Sequence, residues 1–509
     1  MMNVSSPEGH ARLERSAWLP IAIVSALASS VSIWNEALAD AIRIPVGFFL
    51  VMRAKPDALI GLVILYLSEA NFYDIGNFGD MSAGLETAAR LPSLNLFGFP
   101  VNLPTMNCGF VALRVVWERI NRPSTFVRKA DWRLLNLWVI AIIPACVAFA
   151  LSYQLRYDNW TRGMRFLLLA SSYFYGLILI RNRRGNALPE LTKRFAVFVC
   201  LMLTLMNFYV FWSHHGFLFI AIGVAVGFHL IVTGRQAERI LGVVLVVLSV
   251  RYAISSSFTV IASVFVALVY SLFVLLRRNK IISRQFVVGV GGLTIGLSFL
   301  FSIFVVEYSN RVKIEAESYA FQKGDSWRDR ILSKMFADRL SLWRPAYAQI
   351  CDGPYLLVPS GRPLTAKEFG IDDWVVGAHN VTLEVLRNSG FFLGLIVLAL
   401  YGLAFVRIVE VVAGERGGVL ASLAAGLVGV CTAGIATGDF PADMTVGFFI
   451  WAMIGATSAL DTMGPQVSGL VRVPPGRTHA VGLALAPVSA RVGKKRIITR
   501  LSQPFFPSP

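Results

Sequence analysis

Apolar residues run along this chain in long blocks broken by short polar segments, and their spacing sets the first expectation. The apolar runs fall at 18–34, 39–52, 57–70, 103–118, 134–152, 164–181, 195–213, 216–232, 239–254, 257–276, 285–306, 382–408, 417–436 and 443–461. A bilayer core about 30 Å thick needs about 20 helical residues to cross it. Most of these runs meet that length, whereas 39–52 and 57–70 are short. The pattern therefore predicts an all-α fold, a polytopic transmembrane helical bundle of 12–14 spans. One polar segment is far longer than the rest, 307–381, and lies between late spans. The chain divides accordingly into an N-terminal transmembrane bundle (1–306), the long loop (307–381), C-terminal transmembrane helices (382–461) and a tail (462–509). The tail contains Pro474-Pro475, has no acid, and is expected to be disordered or to lie on the inner leaflet.

Composition removes the competing classes. The 509 residues are 56% hydrophobic and 15% charged, against about 45–50% and about 25% in soluble domains. Mean hydropathy is +0.63. A single soluble core cannot enclose that much apolar surface, because cores stop growing at about 250–300 residues. The formal charge of +17 would suggest nucleic acid in a soluble protein. Here it marks sidedness, and no nucleic-acid partner is expected. Arg119, Arg122, Arg128, Lys129 and Arg133 crowd one loop against Asp131. Arg181, Arg183, Arg184, Lys193 and Arg194 crowd the next against Glu190. Arg277, Arg278, Lys280 and Arg284 fill a third, and the tail adds Arg472, Arg477, Arg491, Lys494, Lys495, Arg496 and Arg500. These segments recur at every second crossing, so the positive-inside rule assigns them to the cytoplasm. Both termini are then cytoplasmic, residues 71–102 and 307–381 lie outside, and anionic membrane lipids are natural partners. The outer segment is balanced, with ten Lys/Arg and ten Asp/Glu between Glu307 and Asp373. A polar insert of that length reads as a small folded element, and such loops are usually functional.

Cys108, Cys146, Cys200, Cys351 and Cys431 show no CxxC or other ligand spacing, which argues against a disulfide framework or a zinc site. No P-loop, GxGxxG, HExxH or nucleophile elbow occurs, and no cofactor is expected. Gly292 and Gly296 form a GxxxG that reads as helix packing. No span carries the paired acids of a proton-coupled transporter. Glu384 comes closest and is expected to face the loop. Of six histidines only His214, His215 and His379 fall on the outer side.

Two outer stretches concentrate the chemistry. In Asp338-Arg339-Leu-Ser-Leu-Trp343-Arg344-Pro345-Ala-Tyr347-Ala-Gln-Ile350, the residues Leu340, Trp343, Tyr347 and Ile350 recur at helical steps. Asp338 is placed to cap this helix, and Pro345 to kink it or mark its first turn. Asp352-Gly353-Pro354 stops it. The second stretch, Gly377-Ala-His379-Asn380-Val-Thr-Leu383-Glu-Val-Leu386-Arg-Asn-Ser-Gly390, brings an imidazole to the start of the helix that re-enters the membrane. Free backbone N–H groups gather at such a start and suit an anionic group.

In this order, Arg339, Trp343, Pro354, His379, Asn380, Leu383 and Gly390 resemble the O-antigen ligase/polymerase superfamily, which includes Wzy-type polymerases and WaaL-type ligases. The resemblance is local to about 339–395; elsewhere it is one of topology. Two features depart from it. The family's Gly-Val-Gly after the proline is replaced by Leu-Leu-Val-Pro-Ser-Gly, and its Ser-Arg at a mid-chain span start by Ser255-Ser256-Ser257, with Arg251 a few residues earlier. The resemblance implies a GT-C-like bacterial inner-membrane enzyme whose outer loop is a periplasmic catalytic loop. It implies an inverting, metal-independent glycosyl transfer from an undecaprenyl-diphosphate-linked oligosaccharide to an acceptor glycan or lipid, in surface polysaccharide or exopolysaccharide biosynthesis. It also implies chain-length regulator and export proteins as partners. His379 is then the candidate base, and Arg339 the candidate for the leaving diphosphate, since guanidinium binds phosphate oxygens bidentately. Arg344, Arg251 and Arg165 are further candidates for the diphosphate, and Asn380 and Trp343 complete the candidate substrate-binding set. An O-antigen ligase differs only in its acceptor, a lipid A core. A lipid-linked oligosaccharide flippase or transport subunit is the alternative class, but it needs charge inside a central cavity and no large folded outer loop.

The charge alternation makes a direct prediction. Reporter fusions after 133, 194, 284 and in the tail should read cytoplasmic, and fusions within 320–370 periplasmic. A cytoplasmic signal from the long loop would reverse the orientation and displace the site.

Overall fold

The computed structural model describes residues 18–32, 35–54, 57–67, 95–96, 99–122, 129–154, 162–181, 216–255, 258–311, 338–351, 364–365, 375–376, 380–414, 418–437 and 446–462. These form helices α1 (Trp18–Ser32), α2 (Glu36–Arg53), α3 (Asp57–Leu67), α4 (Leu103–Asn121), α5 (Lys129–Gln154), α6 (Arg162–Arg181), α7 (Gly216–Thr233) and α8 (Gln236–Ser255). The second half holds α9 (Phe258–Arg278), α10 (Arg284–Arg311), α11 (Asp338–Cys351), α12 (Val381–Ser389), α13 (Phe391–Val412), α14 (Val419–Thr437) and α15 (Val446–Thr462). Two antiparallel ladders of two residues per strand join β1 (Asn95–Leu96) to β2 (Phe99–Pro100) and β3 (Leu364–Thr365) to β4 (Val375–Val376). The architecture is thus a helical bundle. The predicted runs coincide with helices except 195–213, which lies outside the described residues, and 382–408, which is two helices rather than one.

Gly390 makes that break. It ends α12 and begins α13 at φ 77° and ψ 159°, backbone that a Cβ strongly disfavours. The sequence points to a single long span because apolar residues continue on both sides, and periodicity does not register a reversal of φ.

Among the described residues six helices are long and apolar enough to cross a membrane: α5, α6, α9, α10, α13 and α14. Their outward faces are apolar, as bilayer solvent requires and water does not tolerate over such area. On α10, Leu293, Leu297, Leu300 and Phe304 face out, while Gly291, Ile295, Ser298 and Ser302 face in. The helix is amphipathic in reverse, with its small and polar side chains inside. Among the six, α6 and α14 are innermost, 83% and 78% of their windows being buried, against 28% for α10 and 33% for α5.

The inner helices approach closely because glycine lets them. Gly176 of α6 lies against the backbone of Ala452 in α15, and Gly455 of α15 lies against the backbone of Tyr173 in α6. Each would drive a Cβ into the other helix, so the pair forms a reciprocal notch of the small-residue kind that drives helix association in lipid. Trp138 of α5 anchors a third helix to this pair by donating its indole N–H to the Leu167 carbonyl at 2.8 Å.

Several polar contacts gather near the ends of the helices. At one end Arg181 pairs with Asp131 at 2.6 Å, Arg119 donates to Asn136 at 3.1 Å, and Arg277 donates to the Ala413 carbonyl at 3.3 Å. α13 packs on both α5 and α6. The segments around 119–133, 181, 277–284 and 413 therefore share this basic end. The opposite end gathers the start of α6, the end of α10, α11, the start of α12 and the end of α14.

Replacing Gly176 with leucine should separate α6 from α15 and sharply lower the yield of folded protein and its melting temperature in detergent. Leucine at Gly292, where a Cβ meets nothing within 4 Å, should leave both unchanged.

Candidate functional site

At the end opposite the basic loops, α11 and α12 meet along the outer part of α10. Sequence alone brings these two helices into one argument, although the 28 residues from 352 to 379 separate them. Leu342, Trp343 and Ala346 of α11 pack with Val306 of α10 and Leu383 of α12 in a cluster of their own, flanked by Phe301, Tyr347 and Ile350. The helical stripe expected in the loop therefore faces the membrane helices. The helix starts at Asp338 and runs through Pro345 in its interior. β3 packs against α11 as well.

Asn380 organises the start of α12. Its Oδ1 accepts the Leu383 backbone N–H at 3.0 Å, a standard N-cap, and the Ser302 hydroxyl at 2.9 Å. Its Nδ2 donates to the carbonyls of Ile435 and Ala436 at 3.1 Å each. An amide side chain has two donors and one oxygen with two lone pairs, so Asn380 is saturated by α10, α12 and the end of α14. It is fully buried. The sequence reading sets it among the substrate-binding residues, and its geometry instead makes it the anchor of the residues beside it. Thr382 adds a hydrogen bond from its hydroxyl to the Phe299 carbonyl at 2.8 Å.

Every residue of α12 is buried, including Glu384 and Arg387. The Arg387 Nη2 group donates to both Glu384 carboxylate oxygens, at 3.0 and 3.1 Å, and Asn388 Nδ2 reaches the same carboxylate at 2.7 Å. This group lies within α12 itself. Burial of the whole helix forces its polar residues to satisfy one another, and the 384/387/388 spacing places them on one face. That spacing is visible in the sequence. What the sequence does not reveal is that a helix so short and polar is enclosed on all sides.

Trp343 is fully buried, with its ring edge-to-face against Phe301 at 6.1 Å. It is expected among the substrate-binding residues, and among the described residues its indole N–H has no hydrogen-bond partner. Arg344, half-buried, donates its Nε–H to the Ser309 hydroxyl at 3.2 Å. Tyr347 donates its phenol to Glu307 Oε1 at 2.7 Å. That hydrogen bond to a carboxylate, and then partial burial, raise the phenol's pKa, so the hydroxyl stays protonated throughout the physiological range. Nothing in the sequence points to the Glu307–Tyr347 pair, because its partners lie forty residues apart.

The remaining candidates divide. Arg165 stands half-buried in the first turn of α6, two residues from Gly163, which touches the backbone of Asn388 and Ser389. The first turn of α6, which carries Arg165, thus meets the end of α12. Arg251 is exposed on α8, which packs on α7 and α9, so among the described residues its helix is set apart from the α10–α11–α12 seam. Proximity to an outer span end in sequence does not fix which side of the bundle a helix occupies. His379 and the side chain of Arg339 lie outside the described residues, as do His214 and His215.

A plain N-cap accepts Asp as readily as Asn. Asn380→Asp should nevertheless fail, since its second oxygen would face two carbonyl oxygens. Thermal unfolding in detergent should show the Asn380→Asp variant no more stable than Asn380→Ala, each losing about 2–4 kcal/mol, the alanine through a lost cap and stranded carbonyls and the aspartate through a carboxylate oxygen set against two carbonyls. An aspartate variant as stable as wild type would show that the two carbonyl contacts contribute nothing.

No family model, curated protein or solved structure matches the chain.

Proposed function

We propose that this chain is an integral inner-membrane glycosyltransferase of 12–14 spans and GT-C-like architecture. It extends undecaprenyl-diphosphate-linked oligosaccharide repeats at the periplasmic face. One observation carries the reading. The two motif-bearing elements, α11 with Arg339 and α12 beginning directly after His379 and Asn380, pack side by side on α10 at the end opposite the basic loops. The positive-inside rule makes that end periplasmic, where lipid-linked donors are presented.

The chemistry follows from the residues. An acceptor hydroxyl attacks the anomeric carbon of the donor sugar, the bond from that carbon to the diphosphate oxygen breaks, and the hydroxyl proton passes to His379. Negative charge grows on the departing lipid diphosphate. Arg339 and Arg344 on α11 and Arg165 on α6 are the cations assigned to it. The saturated Asn380 supports this assignment, because a catalytic group gains from a rigid neighbour that spends none of its own hydrogen bonds on substrate. The buried Glu384–Arg387–Asn388 group stiffens the helix that carries it.

The test is chain extension in a deletion strain complemented with variants. The wild type should convert single repeats to polymer. His379→Ala should slow extension by about 10²–10⁴, the range of a positioned base, with insertion unchanged. His379→Gln should not rescue it. Arg339→Lys should recover little, since an ammonium lacks the planar fork. Wild-type extension by His379→Ala would overturn the reading. Polymer that forms normally in the deletion strain but stays on its lipid carrier would move the activity to transfer onto a lipid A core.

A further inference from the structure

The basic end holds a feature that the glycosyl-transfer reading does not use. Helices α4 and α5 both lean on α6, and near their basic ends they are joined by side chains. Arg119 of α4 donates to Asn136 of α5 at 3.1 Å and lies 6.0 Å from the ring of Trp132. Arg122 lies 5.5 Å from the ring of Trp117. The two acids of this corner are turned inward. Glu118 is fully buried and paired with Arg114 at 3.1 Å. Asp131 is 2% exposed and paired with Arg181 at 2.6 Å. Arg119, Arg122, Lys129 and Arg133 are left at the surface, and among the described residues none of them forms an ion pair. Arg119 commits one donor to Asn136 out of the five that a guanidinium offers.

The adjoining outward faces are apolar. Leu113 and Ile120 of α4 are 64% and 72% exposed, and Ile140 and Ile143 of α5 are 59% and 69% exposed. Trp117 and Trp132 stand where these faces meet the cations, the position that indoles favour at a membrane interface. Cations, indoles and apolar helix faces in that sequence match a phosphodiester headgroup, its glycerol region and its acyl chains.

We propose that the α4–α5 corner is a binding site for an anionic phospholipid, with the headgroup phosphate on Arg119 and Arg122 and the acyl chains along the two helices. The site is independent of the transferase chemistry. It goes beyond the bulk attraction of basic loops to anionic lipid, because it names two arginines at one corner held by Asn136, Trp117 and Trp132.

The test uses the full-length protein in an uncharged detergent, titrated with phosphatidylglycerol or phosphatidylcholine and read by native mass spectrometry. Phosphatidylglycerol should bind more tightly than phosphatidylcholine. Arg119→Gln with Arg122→Gln should weaken phosphatidylglycerol about 25-fold, about fivefold for each basic residue removed. Lys280→Gln with Arg284→Gln, on another basic loop, should leave it unchanged. Should the first pair fail to fold, Lys129→Gln with Arg133→Gln gives the same reading from α5. Equal weakening by the control pair would overturn the proposal in favour of delocalised charge. Complete displacement by millimolar glycerol phosphate would overturn it in favour of a free phosphate site. Equal binding of both lipids would overturn it outright.

Discussion

The Asn380 side chain holds together what the sequence leaves apart. Four hydrogen bonds from one amide join the start of α12, the middle of α10 and the last turn of α14. In water such a group exchanges partners freely. In a bundle whose surroundings are lipid or other helices, a lost partner is not replaced, so each bond carries the desolvation cost of the group it satisfies. The end carbonyls of α14, orphaned by helix geometry, find their donors here, and the orphaned N–H groups of α12 find their acceptor. One residue therefore closes two helix ends, and the Gly390 break allows α12 to be short enough to sit between them.

The same constraint explains the buried charges. Glu384 with Arg387, Glu118 with Arg114 and Asp131 with Arg181 are all ion pairs with little exposure. Buried pairs do not stabilise much relative to well-packed apolar residues, but removing one partner is strongly destabilising. Their effect here is geometric. The first pair fixes the face of a nine-residue helix, and the last ties α5 to α6 across the basic end. With the acids of the α4–α5 corner turned inward, the cations beside them face the headgroup region.

Much of the fold was legible because the bilayer reads length and polarity directly. Runs such as 103–118, 134–152 and 164–181 became helices with nearly those limits, and the described basic residues Arg119, Arg181 and Arg277 lie near helix ends. The site was legible at the level of elements. Arg339-x-x-x-Trp343 and His379-Asn380 pointed to two helices that do meet. The roles of individual residues were less legible. Trp343 and Asn380 carry polar or aromatic chemistry that suits a ligand equally well, and the sequence does not reveal that both are fully buried. Arg251 and Arg165 look alike in sequence, each near a span end, yet helix packing brings the turn that carries Arg165 to α12 and leaves Arg251 on α8.

That difference between Arg165 and Arg251 has a physical origin in helix order. Charge alternation fixes the direction of every span but not which spans are neighbours, since neighbours are chosen by small residues and interhelical hydrogen bonds. Gly163 is the deciding contact for Arg165. With no side chain, it lets the first turn of α6 reach the backbone of Asn388 and Ser389, and Arg165 belongs to that turn. A larger residue at 163 would hold α6 away from α12 while leaving hydropathy, topology and net charge as they are. The composition of the outer site therefore depends on a glycine that has no chemistry of its own, and a search for polar motifs passes over such a residue.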